Sequence, residues 1–280
     1  MIAMSRKELS NLQQRVAVAL IGIPVLFWLT WQGGGYFFVL VLVLVLSGIY
    51  EFHRLAAAID APPPLPFLLL WSIVFQTNFF LGLADPLIVI VAAVPLFLLV
   101  ELFRKGGSRL GGFGSALAVL LYVNLSFGSL LAVRLTGPSG LFSVLLMFVC
   151  IWSADIMAYF GGSRFGGRFI RRKFFERISP RKTWEGFLSG CFGSVLGAII
   201  FAAFDSGLHP AFVIGAGVFI GVFSPLGDLV ESMFKREAGV KDSSAVIPGH
   251  GGVLDRFDTV MFIAPLLYLY SFFAGSLNGQ

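Results

Sequence analysis

The sequence has 280 residues, of which 57% are hydrophobic and only 12% charged, and it contains 31 phenylalanines. A soluble surface needs far more charge, so the composition excludes an ordinary globular protein and describes an all-α, polytopic integral membrane protein. The formal net charge of +5 calls for no nucleic-acid partner, because a basic face beside anionic lipid headgroups accounts for it.

Residues 1–15 are polar and basic, with Arg6, Lys7 and Arg15 against Glu8, and read as a cytoplasmic lead-in at the membrane surface. The first apolar run leads into Pro24, Trp28 and Trp31 with no small-residue cleavage site, which marks a first span rather than a removable signal. Further runs approach the ~20 residues that cross ~30 Å of hydrocarbon. Nine spans are expected, at Val16–Trp31, Tyr36–Tyr50, Leu65–Leu83, Pro86–Phe103, Ser115–Arg134, Leu141–Phe160, Gly186–Phe204, Pro210–Leu226 and Thr259–Ala274. The Gly33-Gly34-Gly35 turn makes a hairpin of the first two, and Ala61-Pro62-Pro63-Pro64 is a stiff connection.

Lysine and arginine positions orient this arrangement. With the N-terminus cytoplasmic, 19 of the 20 basic residues fall on the cytoplasmic side and only Arg134 lies outside, the asymmetry expected of a correct topology. Cys150 and Cys191 both sit in apolar runs, so neither a disulfide framework nor a cysteine metal cluster is expected, and both read as packing residues.

Composition changes near residue 150. The first five acids, Glu8, Glu51, Asp60, Asp85 and Glu101, are scattered, whereas the other ten begin at Asp155. Residues 1–140 therefore read as a membrane scaffold and 141–280 as the functional half. Asp155 is placed about five residues before the cytoplasmic end of its span, where an acid is costly and faces a wet cavity or the protein interior. Pairing with Arg164 is the plainer alternative. The run Gly161-Gly162-Ser163-Arg164-Phe165-Gly166-Gly167 suits phosphate binding, yet it lacks a Walker ending, and a helix C-cap with a turn explains it as well. Arg168–Arg177 mixes cations with Phe169, Phe174 and Phe175 and fits the membrane surface or topology-setting charge. Ser179 to Gly186 joins Ser179, Arg181, Lys182, Thr183 and Glu185 directly before a span, where helix N-terminal amides favour anions.

The most polar stretch runs from Ser232 to Asp258 and contains Lys235, Arg236, Lys241, Asp242, His250, Asp255, Arg256 and Asp258. Asp255 and Asp258 are three apart, as are Asp228 and Glu231 upstream. On one helix face such carboxylates repel unless a cation lies between them. Beside them, Gly249-His250-Gly251-Gly252 lets backbone amides approach a ligand closely. The whole reads as a metal-bound polyphosphate site. A transporter whose intramembrane acids line an ion path would also explain Asp155, Asp228 and Glu231, but not the clustered cations and glycines.

The pattern resembles the signature of the phosphatidate cytidylyltransferases (CDP-diacylglycerol synthases), which is met at Ser232, Lys235, Arg236, Lys241, Asp242, His250, Gly251, Gly252, Asp255, Arg256 and Asp258. Asp155–Tyr159, Ser179–Gly186 and Gly227–Ser232 are similar to further family elements, so the resemblance covers about Leu141 to Asp258. It implies cytidylyl transfer from CTP to phosphatidate, at an active site on the cytoplasmic face of a bacterial inner membrane. One or two divalent cations, Mg²⁺ foremost, are implied, with room for a monovalent cation beside them; a homodimer is compatible with it. The implied metal ligands are Asp228, Glu231, Asp255 and Asp258, and the implied catalytic residues are Asp228, Lys241, Asp242, Asp255 and Asp258. Substrate contacts are implied for Asp155, Ser179, Arg181, Lys182, Lys235, Arg236, His250, Gly251, Gly252 and Arg256. Another nucleotide-dependent transferase of lipid phosphates has the same charge chemistry and is set aside only by the resemblance.

Overall fold

The computed structural model describes residues 6–204, 207–244, 246 and 251–277. Helices α1 (Arg6–Gln32) and α2 (Gly34–Ala58) are separated by Gly33 alone. That position has φ +65° and the next, Gly34, φ +48°, conformations that glycine adopts without a Cβ clash, so the break between the two helices falls on this glycine pair. Helices α3 (Leu65–Leu81) and α4 (Pro86–Phe103) follow. Gly82 caps α3 in the left-handed region at φ +62°, and the Asp85 side chain accepts from Leu87 N at 2.8 Å to open α4, a cap completed by Pro86 in the first turn. Helix α5 (Arg109–Ala118) continues through a π-helical turn at Val119–Asn124 into α6 (Leu125–Arg134). Beyond lie α7 (Pro138–Phe165), strands β1 (Lys173–Phe175) and β2 (Ser179–Thr183), α8 (Trp184–Ala202), α9 (Pro210–Glu237) and α10 (Leu254–Leu277).

Among the described residues, seven helical stretches are long and apolar enough to cross a membrane by length and composition, while Val16–Gln32 and Leu65–Leu81 are shorter apolar helices. Each expected span falls within or against one of these elements, but several helices run further. The sixth expected span ended at Phe160, whereas α7 continues to Phe165. The eighth ended at Leu226, whereas α9 continues to Glu237. Asp155 therefore lies ten residues from the end of its helix rather than five, and Asp228 to Lys235 continue the helix past the expected end of the eighth span.

By contacts, the described chain forms two compact units: residues 1–123 with 237–257, and residues 124–236 with 258–280. The first has a core that includes Phe37, Val41, Val45, Ile49, Phe75 and Phe97, none more than 1% exposed. In the second, Phe127, Leu131, Leu146, Met147, Cys150 and Ile220 are fully buried. Leu20, Leu83, Phe103, Leu110, Phe192 and Phe272 are each more than 60% exposed, an outward apolar surface that suits lipid.

Lipid tails are as apolar as leucine, so helix association there rests on close packing of small residues. The α7–α8 pair shows this. Gly186, Gly190, Gly193 and Gly197 recur every three or four residues along α8, and a Cβ on Gly193 would lie 2.6 Å from Met157 Cβ, one on Gly197 2.7 Å from Ser153 Oγ. In return, a Cβ on Gly161 of α7 would strike Ser189. Gly161 and Gly162 thus bring two helices together, and Gly166 closes α7 with its amide on Gly162 O at 3.0 Å. The Gly166 contact is the C-cap expected as the plainer reading of this glycine run, and the packing role of Gly161 and Gly162 is added by the structure.

Both cysteines are free. Pro225 lacks the N–H that would bond the Gly221 carbonyl four residues back. Cys191 Sγ instead donates to Gly221 O at 3.3 Å.

Candidate active site

The chain between α7 and α8, which reads as a surface segment, contains a short antiparallel hairpin. Lys173 lies opposite Thr183 and Phe175 opposite Ser179. Phe174 stacks on Phe187 with centroids 4.7 Å apart and meets Trp184 edge-on at 4.9 Å, which seats the hairpin on the start of α8. Thr183 is the N-cap of α8, its Oγ1 accepting from Gly186 N at 3.1 Å. Glu185, buried in the first turn, accepts from the amides of Phe169 and Ile170 at 3.0 and 2.9 Å. These contacts fix the basic segment and point β2 into a cavity of about 580 Å³.

That cavity belongs to the second compact unit. Asp155 and Tyr159 of α7, Ser179, Arg181 and Lys182 of β2, and Ser224 and Asp228 of α9 line it. Asp155, residues of the Ser179–Gly186 segment and Asp228 therefore meet at one cavity, whose lining includes neither Asp255 nor Asp258. Lys182 Nζ pairs with Asp228 Oδ2 at 2.9 Å and donates to Pro225 O at 3.0 Å. Arg181 is exposed.

On α9, Asp228, Glu231, Ser232 and Lys235 share one face by their helical spacing. Ser232 Oγ donates to Asp228 Oδ1 at 3.0 Å, and Lys235 forms an ion pair with the buried Glu231. Asp258 of α10 completes a group of three: one oxygen each from Asp228, Glu231 and Asp258 lies within 4.8 Å of the others. Gly227 permits this approach, since a Cβ there would lie 2.6 Å from Thr259 Cα. Three carboxylates beside two lysines leave one net negative charge. Hard oxygen donors of this kind suit Mg²⁺ or Ca²⁺. Asp228, Glu231 and Asp258 would be the residues to hold such an ion.

The other expected site residues are placed differently. Asp255 turns its carboxylate to its own loop, where Oδ2 accepts from Ser243 N at 2.9 Å, Ser243 Oγ at 2.9 Å and Gly252 N at 2.8 Å. The Gly252 amide is engaged there and the residue is buried, and Gly251 has φ +86°, so both glycines shape the loop around Asp255. Lys241, Asp242, Arg236 and Arg256 are exposed. His250 and Gly249 lie outside the described residues.

Sequence reading passed over Glu51. It is fully buried on α2 and accepts four hydrogen bonds, from Ser243 Oγ, Ser244 Oγ and the amides of Val253 and Leu254, at 2.7 to 2.9 Å. The available signal was an acid at the end of an apolar run, which in a membrane protein is by default a functional lead.

The fold and the site define a helical membrane protein with a carboxylate and lysine cluster beside a polar cavity. The chain belongs to the cytidylyltransferase family, whose model matches residues 13–274. A phosphatidate cytidylyltransferase of Brucella abortus is 34% identical over 263 residues, which cover 94% of each chain. One of Synechocystis is 34% identical, covering 92% of this chain and 95% of its own, and one of Bacillus subtilis is 31% identical, covering 92% and 97%.

Proposed function

We infer that the chain transfers a cytidylyl group from CTP to phosphatidate, giving CDP-diacylglycerol and pyrophosphate. The observation that carries this is the Asp228, Glu231 and Asp258 group set against a cavity that Lys182 and Arg181 line. In the reaction a phosphate oxygen of phosphatidate attacks the α-phosphorus of CTP, and the bond from that phosphorus to the oxygen bridging to the β-phosphorus breaks. The nucleophile is already anionic, so alignment and charge neutralisation matter more than a strong base.

Asp228, Glu231 and Asp258 would hold a divalent cation, which when bound supplies charge neutralisation at the triphosphate. Lys182, Arg181 and Ser179, on a strand directed into the cavity, offer a cation cluster and a hydroxyl to phosphate oxygens. We assign the lipid phosphate to this strand. Lys235 sets the charge and orientation of Glu231. Lys241, Asp242, Arg236 and Arg256 are exposed.

Phosphatidate stays in the bilayer, since each buried CH₂ is worth ~0.8 kcal/mol, so its headgroup must reach the cavity sideways. Exposed Ile156, Tyr159 and Phe160 on α7 give that side an apolar surface suited to acyl chains. The topology we favour has nine spans. The two shorter helices, at 17 residues each, rise ~26 Å at 1.5 Å per residue, which is at the short end of spanning length. With the N-terminus cytoplasmic, the basic hairpin and the carboxylate group both open to the cytoplasm, where CTP is found.

The test is to incubate purified protein in mixed micelles with phosphatidate, Mg²⁺ and each of four nucleoside triphosphates. CDP-diacylglycerol from CTP alone, abolished by chelation, is expected. Equal turnover with ATP or GTP, or no lipid product with any, would overturn the reading.

A further inference from the structure

Glu51 lies on α2, in the part of the chain that reads as scaffold, yet its four donors lie 192 to 203 residues later. Each carboxylate oxygen takes one hydroxyl and one amide. Oε1 accepts from Ser244 Oγ at 2.7 Å and Val253 N at 2.8 Å. Oε2 accepts from Ser243 Oγ at 2.8 Å and Leu254 N at 2.9 Å. The Leu254 amide opens α10 and the Val253 amide directly precedes it; N–H groups at a helix start have no carbonyl partner within the helix and favour a negative charge.

The surrounding surface is shaped for this contact. A Cβ on Gly252 would strike Glu51 Oε2 and Ser243 Oγ, and one on Gly48, a turn before Glu51, would lie 3.3 Å from Leu254 Cδ2. Ser243 Oγ is also 2.9 Å from Asp255 Oδ2, so one hydroxyl proton is shared between two carboxylates. Lys241 and Asp242 immediately precede Ser243, and Asp258 follows Leu254 by one turn on the same helix. A single buried side chain thus holds the chain directly after Lys241 and Asp242 and again at the start of the helix on which Asp258 follows.

We propose that Glu51 is a positioning residue for the transfer reaction, acting through Ser243, Ser244 and the amides of Val253 and Leu254 to hold Lys241, Asp242 and the start of α10 in one arrangement. The proposal rests on the cytidylyl-transfer reading for its kinetic consequence but not for the contact itself.

Glu51→Gln keeps the side-chain size but replaces one acceptor oxygen with an NH₂ donor. A serine hydroxyl can rotate to accept from it, whereas a backbone N–H cannot reverse, so at least one amide bond to α10 is lost. Hydrogen–deuterium exchange of the detergent-solubilised protein reads this directly. Exchange at Ser243, Val253 and Leu254 should speed up at least tenfold in Glu51→Gln while α8 is unchanged. In the same preparations kcat should fall tenfold or more and the Mg²⁺ concentration for half-maximal activity should rise, with KM for phosphatidate within about twofold. Ser244→Ala, a milder change, should move both readouts in the same direction by a smaller factor, and Ser244→Thr should restore them.

Unchanged exchange in Glu51→Gln would overturn the contact. Faster exchange with unaltered kcat and Mg²⁺ dependence would make Glu51 structural only and overturn the positioning role. A wild-type protein that exchanges as described but makes no CDP-diacylglycerol would contradict the functional reading while leaving the contact supported. If Glu51→Gln does not fold, Ser244→Ala decides by the same two measurements.

Discussion

Replacing Asp258 with asparagine should make the metal-free protein more stable and shrink the stabilisation that magnesium adds. The oxygens of Asp228, Glu231 and Asp258 lie within 4.8 Å of one another. Two unit charges at that separation repel by about 3.5 kcal/mol at an effective dielectric of about 20. The Asp228 side chain is 45% exposed, and Lys182 and Lys235 already offset part of the charge. We therefore take about 1 kcal/mol for each of the two pairs that include Asp258 as the relief that survives screening. Without Mg²⁺, Asp258→Asn should melt a few degrees higher. With Mg²⁺ at about 100 times its Kd, the wild type gains about 2.7 kcal/mol. Loss of one carboxylate ligand, taken as 10- to 100-fold in affinity, leaves the variant roughly 0.4 to 1.4 kcal/mol at the same concentration. Thermal unfolding in detergent, with EDTA and then with excess MgCl₂, measures both terms. A variant that melts lower in EDTA yet keeps the full magnesium shift would refute the account of these carboxylates as a cation site.

Lys182→Met removes the ammonium that lines the cavity and pairs with Asp228; the apparent KM for phosphatidate in mixed micelles should rise about tenfold and more than that for CTP, and the reverse order would move β2 to the nucleotide. Gly193→Leu forces a side chain into Ser153 and Met157 of α7 and should cost about 1–3 kcal/mol or more, read as a lower melting temperature and a loss of folded yield; wild-type stability would contradict the packing of α7 on α8. Glu185→Gln should speed amide exchange at Phe169 and Ile170, since one acceptor oxygen holds both; unchanged exchange there would show that the loop is held by other contacts. In intact cells, Ser139→Cys should react with an impermeant thiol reagent and Arg177→Cys should not, and the opposite pattern would invert the topology.

Helix order was legible because apolar runs of spanning length and their glycine and proline breaks are local features. So was the face shared by Asp228, Glu231 and Lys235, which follows from spacing alone. Asp255 and Asp258 show the limit of that argument. They have the same three-residue spacing, but Asp258 joins the carboxylate group whereas Asp255 is taken by Ser243 and Gly252. Spacing says which side chains share a face; it does not say which donors the rest of the chain brings to each. Glu51 was missed for the same reason, its partners being about 200 residues away. The hairpin at Lys173–Thr183 was hidden because its strands are too short and too basic to show alternation. The ends of α7 and α9 were misplaced because hydropathy falls where polar residues begin, while backbone hydrogen bonding continues.

Following the phosphorus atoms of CTP tests the central claim most directly. Purified protein with phosphatidate and Mg²⁺ should place the label of [α-³²P]CTP in the lipid fraction and that of [γ-³²P]CTP in pyrophosphate, with Asp228→Asn and Asp258→Asn both severely slowed. Label from the γ position in lipid, or wild-type rates in both variants, would contradict cytidylyl transfer at this site.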